Sequence, residues 1–345
     1  MAELQKLAIT LKVIAAPSDN NDTTDIFSES GYRAMNLIRS TFCSGLICCS
    51  ALALPAVAAE GGFSNYVPGF YGDIALAVEP EAGWAMRNDL YFYSGDGDRS
   101  VRSGQVELEA ELDMTLNYLS FFYKTEEKVL GAGYAYGATF VFGNVDISGE
   151  LALGSDSLGF SDDKTSYGDI TFVPGVFYWN NGDKLHFSQS FFVVAPVGDW
   201  DEDDLANIGL NIWTFETDFA MTYLNQETGQ DYSIVLGYGY NTENQDTNYQ
   251  SGDEWHIDYV FNQFLSESLA IGLHGFYYRQ ISGDSGDGAL LGDFKAEAEG
   301  IGPAIMWIPP KYEGEVAFVA KWLHEYHTEN RLEGDHVFLS FVMTL

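Results

Sequence analysis

The chain has 345 residues, of which 46% are hydrophobic and 15% aromatic, and its 16 Lys and Arg stand against 51 Asp and Glu for a formal charge of −35. This balance excludes a nucleic-acid partner, because phosphate contacts need clustered cations. The 21 Tyr, 24 Phe and 7 Trp exclude a disordered acidic chain, which lacks aromatics to bury, and 36 Gly with only 9 Pro favour sheet over a two-domain enzyme.

Residues 35–59 read MNLIRSTFCSGLICCSALALPAVAA: a short segment with Arg39, an apolar stretch, then small residues before Glu60. That layout predicts a secretory signal peptide cut after Ala58 or Ala59, its apolar stretch being too short to span a bilayer about 30 Å thick. Residues 1–34, with Asp19, Asp22, Asp25 and Glu29, make a poor n-region and are assigned to an upstream extension outside the mature protein, with translation starting at Met35. Cys43, Cys48 and Cys49 all fall inside the leader, so the exported chain has no thiol, as suits a bacterial envelope protein. The mature chain keeps 12 basic and 46 acidic residues.

Beyond residue 82 no segment offers 18 consecutive apolar residues, yet period-two segments of about 9 to 14 residues recur. In residues 105–118 one face is Val106, Leu108, Ala110, Leu112, Met114, Leu116 and Tyr118, and the other is Glu107, Glu109, Glu111, Asp113, Thr115 and Asn117. Phe215, Phe219, Met221 and Tyr223 alternate with Glu216, Asp218 and Thr222, and Trp255, Ile257, Tyr259 and Phe261 with His256, Asp258 and Asn262. Val337, Leu339, Phe341, Met343 and Leu345 end the chain as outer-membrane barrels usually end. Apolar faces this long and edged by aromatics predict an all-β fold, a transmembrane antiparallel β-barrel occupying residues 83–345.

Short connectors near residues 180–183, 226–230, 266–268 and 309–314 read as periplasmic turns; longer acidic or Gly-rich ones near 154–168, 197–209, 242–253, 282–293 and 327–335 read as outer loops. With the C-terminus in the periplasm, an even count requires residues 131–154 to form one long strand kinked at Gly143, giving about twelve strands. The first is placed at 83–94. Residues 60–82, with Tyr66, Pro68 and Gly69, are either a segment that folds into the lumen as a plug or lies against the periplasmic mouth, or a flexible tail.

Tyr66-Val67-Pro68-Gly69, Leu130 to Tyr134, Gly168-Asp169, Pro196 to Trp200, Asn211-Ile212-Trp213, Tyr249 to Gly252, Gly300 to Pro303 and Asn330-Arg331 with Gly334 stand in an order and spacing that extend over nearly all of the mature chain. In these positions the chain resembles the outer-membrane family associated with the meta pathway of phenol degradation. The resemblance implies an outer-membrane barrel that passes small hydrophobic or aromatic molecules, and it supplies no catalytic residue.

If every strand puts its polar face inward, Glu107, Glu109, Glu111 and Asp113 form a luminal column, joined by Asp146, Glu150, Glu216, Asp218, Asp258, Glu297 and Glu299, with Lys321 among the few compensating cations. A carboxylate-lined pore prefers cations. A saline habitat or divalent ions at the outer loops would account for the same acidity.

The partners so implied are outer-membrane lipid, the barrel-assembly machinery through Val337 to Leu345, and a small hydrophobic or aromatic solute. No cofactor motif is present: His324 and His327 would point to opposite faces of a strand. The competing enzymatic reading is a membrane-face hydrolase using His186 and Ser188, whose spacing puts nucleophile and base on one face. A structural or adhesive barrel is the third reading.

Overall fold

The computed structural model describes residues 64–345 apart from 72, 103–104, 154–155, 290–294 and 313, and gives only the backbone at 98–109 and 150–158. The expected upstream extension and signal peptide lie outside the described residues, as do residues 60–63.

Thirteen strands follow in order: β1 (Gly83–Arg102), β2 (Gln105–Lys124), β3 (Gly133–Leu153), β4 (Asp156–Tyr167), β5 (Ile170–Asn181), β6 (Leu185–Ala195), β7 (Thr214–Asn225), β8 (Gln230–Asn241), β9 (Glu254–Ser266), β10 (Leu269–Gln280), β11 (Glu297–Trp307), β12 (Val316–Glu329) and β13 (Glu333–Thr344). Successive strands pair antiparallel except β4 with β5, both of which pair with β3, and β1 pairs with β13, from Ala85 opposite Thr344 to Asp96 opposite Glu333, so the sheet closes on itself. Closure removes the edges of the lower staves, whereas above it, among the described residues, β4 has β3 as its only strand partner and β1 beyond Asp96 pairs only with β2.

The barrel has twelve staves because β4 and β5 continue one another along β3. The outer half of β3, Phe142 to Leu153, pairs with β4, and its inner half, Gly133 to Thr139, pairs with β5. Residues 156–167 are therefore a strand where a loop was expected, and β1 runs on to Arg102 instead of stopping near 94. Acidic, Ser-rich composition in 154–168 masks the strand, because its inward Asp162, Lys164 and Ser166 are taken up by polar contacts with the link between β6 and β7 and not by an apolar core. Gly143 lies within β3, where a Cβ would meet Thr115 O at 2.1 Å, so the close approach of β2 requires glycine there.

Alternation decides which face is which. On β7, Glu216, Asp218 and Thr222 are buried while Phe215, Phe219 and Met221 are exposed, so the carboxylates face the lumen and the aromatics face lipid. On β2 and β3 the outer ends reverse this. Leu112, Met114, Leu116, Val145 and Ile147 are buried in the main core cluster, and Glu111, Asp113 and Asp146 are exposed.

The link between β6 and β7 folds back over the outer mouth. Asp162 accepts hydrogen bonds from Leu205 N and Ala206 N, Ser166 donates to Asp199, and Lys164 pairs with Asp199 and Asp204. Ala206 and Ile208 are carried into the core cluster against the inner faces of the tall strands. These contacts all come from β4 residues, so the loop lies along that strand.

Candidate functional site

A strap from Ser64 to Ala82 runs inside the barrel and is fastened to its wall at successive depths. Tyr66 is 2% exposed and donates to the Asp258 carboxylate at 3.0 Å, and its ring stacks on His256 at 3.9 Å. Tyr71 donates to Glu216 at 2.9 Å. At Asp73 the strap is clamped by Arg87 at 2.6 Å and Lys321 at 3.0 Å, and Lys321 Nζ also donates to Gly69 O at 2.6 Å. Asn262 donates to Asp73 O, while Ala75 N and Ala77 N donate to Asp231 and Thr222. Glu79 pairs with Lys124 near the inner end.

Backbone conformation matches this path at one point in particular. Gly69 has φ +73°, and a Cβ there would meet Leu323 Cδ1 at 2.2 Å, so only glycine lets the strap turn against β12. Burial pushes the Asp73 carboxyl up, but Arg87 and Lys321 beside it outweigh that and hold it below the ordinary carboxylate range.

The strap separates two cavities. The outer one, about 80 Å³, is lined by Tyr66, Val67, Pro68, Tyr91, Tyr93, Leu112, Met114, Leu116, Tyr118 and Ile208, with Arg331 and His336 at its side. The inner one, about 810 Å³, opens among Trp84, Lys124, Tyr178, Ser188 and Leu345. Asn65, Val67, Tyr118 and Thr171 line both, so they form the partition. The outer cavity is about half the ~150 Å³ that suffices for benzene in an apolar core. An aromatic solute therefore fits only if the strap or its tyrosines shift.

The structure divides the expected pore-lining set. Glu216, Asp218, Asp258 and Lys321 are buried with their side chains inside the barrel. Glu111, Asp113 and Asp146 instead face outward, because above the lipid band the outside is water and the inside is packed with apolar residues. Glu297 and Glu299 are also on the outer face; Glu297 pairs with Arg279 and accepts from Tyr277, Glu299 accepts from Tyr326, and the buried Ala298 between them points in. The side chains of Glu107, Glu109 and Glu150 lie outside the described residues. Tyr66, Pro68 and Gly69 all lie in the strap and are buried.

His186 and Ser188 both point into the barrel, at 8% and 3% exposure, and not toward lipid. The His186 ring hydrogen-bonds Asn180 through Nδ1 at 2.7 Å, and no hydrogen bond joins it to Ser188 among the described residues. A nucleophile and base for membrane lipid would need the opposite face.

Sequence reasoning offered Arg87 as a compensating cation of the lumen but did not single out Tyr71, Asp73, Glu254, Glu325 or His336 as site residues. Tyr278 donates to Glu254 at 2.7 Å, and Glu325 receives Gly334 N and lies 3.2 Å from His336 Nε2. The available signal was a charged residue at an inward position of an otherwise apolar strand, as Glu325 is beside Leu323.

Closed antiparallel staves, a lipid-facing apolar band and a polar interior occupied by an inserted strap define a β-barrel of the outer-membrane type. The family described as "Putative MetA-pathway of phenol degradation" matches residues 70–341, and the chain belongs to that family. No curated protein sequence matches it. Among solved structures, the COG4313 outer membrane channel from Pseudomonas putida F1 is 14% identical with a TM-score of 0.62, over 81% of this chain and 100% of that one, and shares the fold. Weaker likenesses are the translocator domain of autotransporter NalP from Neisseria meningitidis (10% identity, TM-score 0.42, 78% and 91% covered) and a Pseudomonas aeruginosa FadL homologue (8%, 0.38, 76% and 89%).

Proposed function

We propose that this protein is an outer-membrane channel through which small neutral hydrophobic or aromatic molecules diffuse, with the strap at residues 64–82 as its plug. The partition of the lumen by the strap into an outer cavity lined by tyrosines and aliphatic residues and a wider inner one carries this reading. Apolar walls with a few hydroxyls suit a phenol-sized solute, which offers a ring face and one polar group. Twelve strands make too narrow a barrel for an open porin lumen, so a mobile plug is the element that would regulate passage.

A preference for cations over anions accompanies this function, now resting on the inward Asp89, Glu216, Asp218, Asp231, Glu254, Asp258 and Glu325 instead of a column on β2. Arg87, Lys124, Lys321 and Arg331 offset part of that charge. The chain reaches the outer membrane after export with a cleaved signal peptide, and Val337 to Leu345 is the segment offered to the barrel-assembly machinery.

Liposome swelling tests the proposal. Purified protein should admit neutral aromatic alcohols faster than aromatic carboxylates of equal size, and deletion of residues 60–82 should speed both. Uptake no faster than in empty liposomes, with and without the strap, would overturn it in favour of a structural barrel.

A further inference from the structure

Beside the strap, Glu216 and Asp218 on β7 and His256 on β9 converge, each buried, with one ligand atom apiece lying within 4.8 Å of the others. His256 Nε2 is 3.2 Å from Glu216 Oε1 and 3.5 Å from Asp218 Oδ1. Around a four-coordinate cation with bonds of about 2.0–2.2 Å, neighbouring donor atoms stand about 3.3–3.6 Å apart. The 3.5 Å spacing falls within that range and the 3.2 Å spacing just below it. Three protein ligands would leave the fourth position to water or to a solute oxygen.

Two further observations point to a ligand. Asp218 is 3% exposed, and neither of its oxygens has a hydrogen-bond partner among the described residues. A buried carboxylate in that condition is rare unless something else satisfies it. The surroundings also orient the ligands as metal sites do. In the tautomer with its proton on Nδ1, His256 donates to Asp258 Oδ2 at 2.7 Å and turns the Nε2 lone pair toward the two carboxylates, with Glu216 Oε1 at 3.2 Å, and Tyr71 donates to Glu216 at 2.9 Å. Without a cation or a proton, that lone pair faces only negative oxygens. Among the described residues, the ion pairs reaching Glu216, Asp218 and Asp258 all come from His256.

We propose that Glu216, Asp218 and His256 bind a divalent cation of the zinc class in the lumen, with Asp258 and Tyr71 as outer-shell partners. The strap covers the site, because Tyr66 stacks on the His256 ring and also donates to Asp258. Two carboxylates and one imidazole favour zinc-class ions over calcium, which takes six to eight oxygens. This site is independent of which solute the barrel passes.

Barrel stripped with a chelator should take up one Zn²⁺ per chain in equilibrium dialysis against ZnCl2. With Co²⁺ it should develop the intense visible absorption of a four-coordinate site. Asp218→Asn, which keeps the side-chain shape, and His256→Gln should each weaken Zn²⁺ binding at least tenfold, while Glu111→Gln on the outer surface leaves it unchanged. Stripped wild-type protein that binds neither ion, or binding that Asp218→Asn and Glu111→Gln affect equally, would overturn the proposal. The wild-type cobalt spectrum keeps the test decisive even if a variant fails to fold.

Discussion

The wall made by β1 to β4 and the wall made by β6 to β13 use the same two-residue alternation with different outcomes. In the second wall the strands have 11 to 14 residues, their outward positions carry Phe215, Phe219, Trp307, Phe318 and Trp322, and their inward positions carry Glu216, Asp258, Lys321 and Glu325. The first three strands have 20, 20 and 21 residues and change character along their length. Near the periplasm β2 turns Leu119, Phe121 and Tyr123 outward; further out the same face shows Glu111 and Asp113. Across the sheet, Ser94, Asp113, Asp146 and Asp163 stand opposite one another in a single row. Beyond that row β1 continues from Ser94 to Arg102, about 30 Å of strand. Period two thus reports a strand, whereas the polarity of each face reports the solvent on that side.

Five substitutions, taken in three tests, would break this contrast if it is wrong. The largest effect is expected at Lys321, which is buried and holds Asp73, Gly69 O and the Phe338 ring. Lys321→Ala should cost about 3–5 kcal/mol by removing one partner of a buried pair, and it should raise single-channel conductance by loosening the strap. In the tall wall the inward side is apolar, so Leu112→Ala should destabilise the barrel by about 2–5 kcal/mol, whereas Asp113→Ala stays within about 0.5 kcal/mol. Denaturant unfolding in detergent micelles measures both, and a larger loss from Asp113 would return β2 to a carboxylate-lined lumen. Third, Phe219→Lys on the lipid face should cost about 2–4 kcal/mol at the bilayer midplane. Asp146→Lys, above the band, should be close to neutral in the same refolding assay.

The staves, the closure and the single long third strand were legible because alternation and turn residues are local signals. The inward positions of Glu216, Asp218, Asp258 and Lys321 were legible too, since in those strands lipid lies outside and the polar face has one place to go. Glu111, Asp113 and Asp146 were not. Their alternation is equally regular, but which face is inside depends on where the membrane ends, and that height is set by neighbouring strands through register. Glu297 and Glu299 mislead for the same reason: they sit at the outer end of β11, where Arg279, Tyr277 and Tyr326 receive them outside. The clamp at Asp73 was hidden because its partners, Arg87 and Lys321, are more than 200 residues apart.

Acid offers a smaller and more selective test of the same contrast. Asp73 is held below the ordinary carboxylate range by Arg87 and Lys321 against the opposing effect of burial. A depressed folded-state value means that its contribution is complete above the unfolded value near 4 and is lost only as pH falls through the folded one. Asp73→Asn should therefore lower stability by about 1.5–3 kcal/mol at neutral pH, the worth of charge-assisted hydrogen bonds. The difference from wild type should stay flat between pH 8 and 5 and shrink below about 4. Leu112→Ala removes no titratable group, so its penalty should be the same at every pH at which the barrel remains folded. A difference for Asp73→Asn that already shrinks between pH 8 and 5 would mean that the strap is fastened by groups titrating near neutrality and not by this clamp.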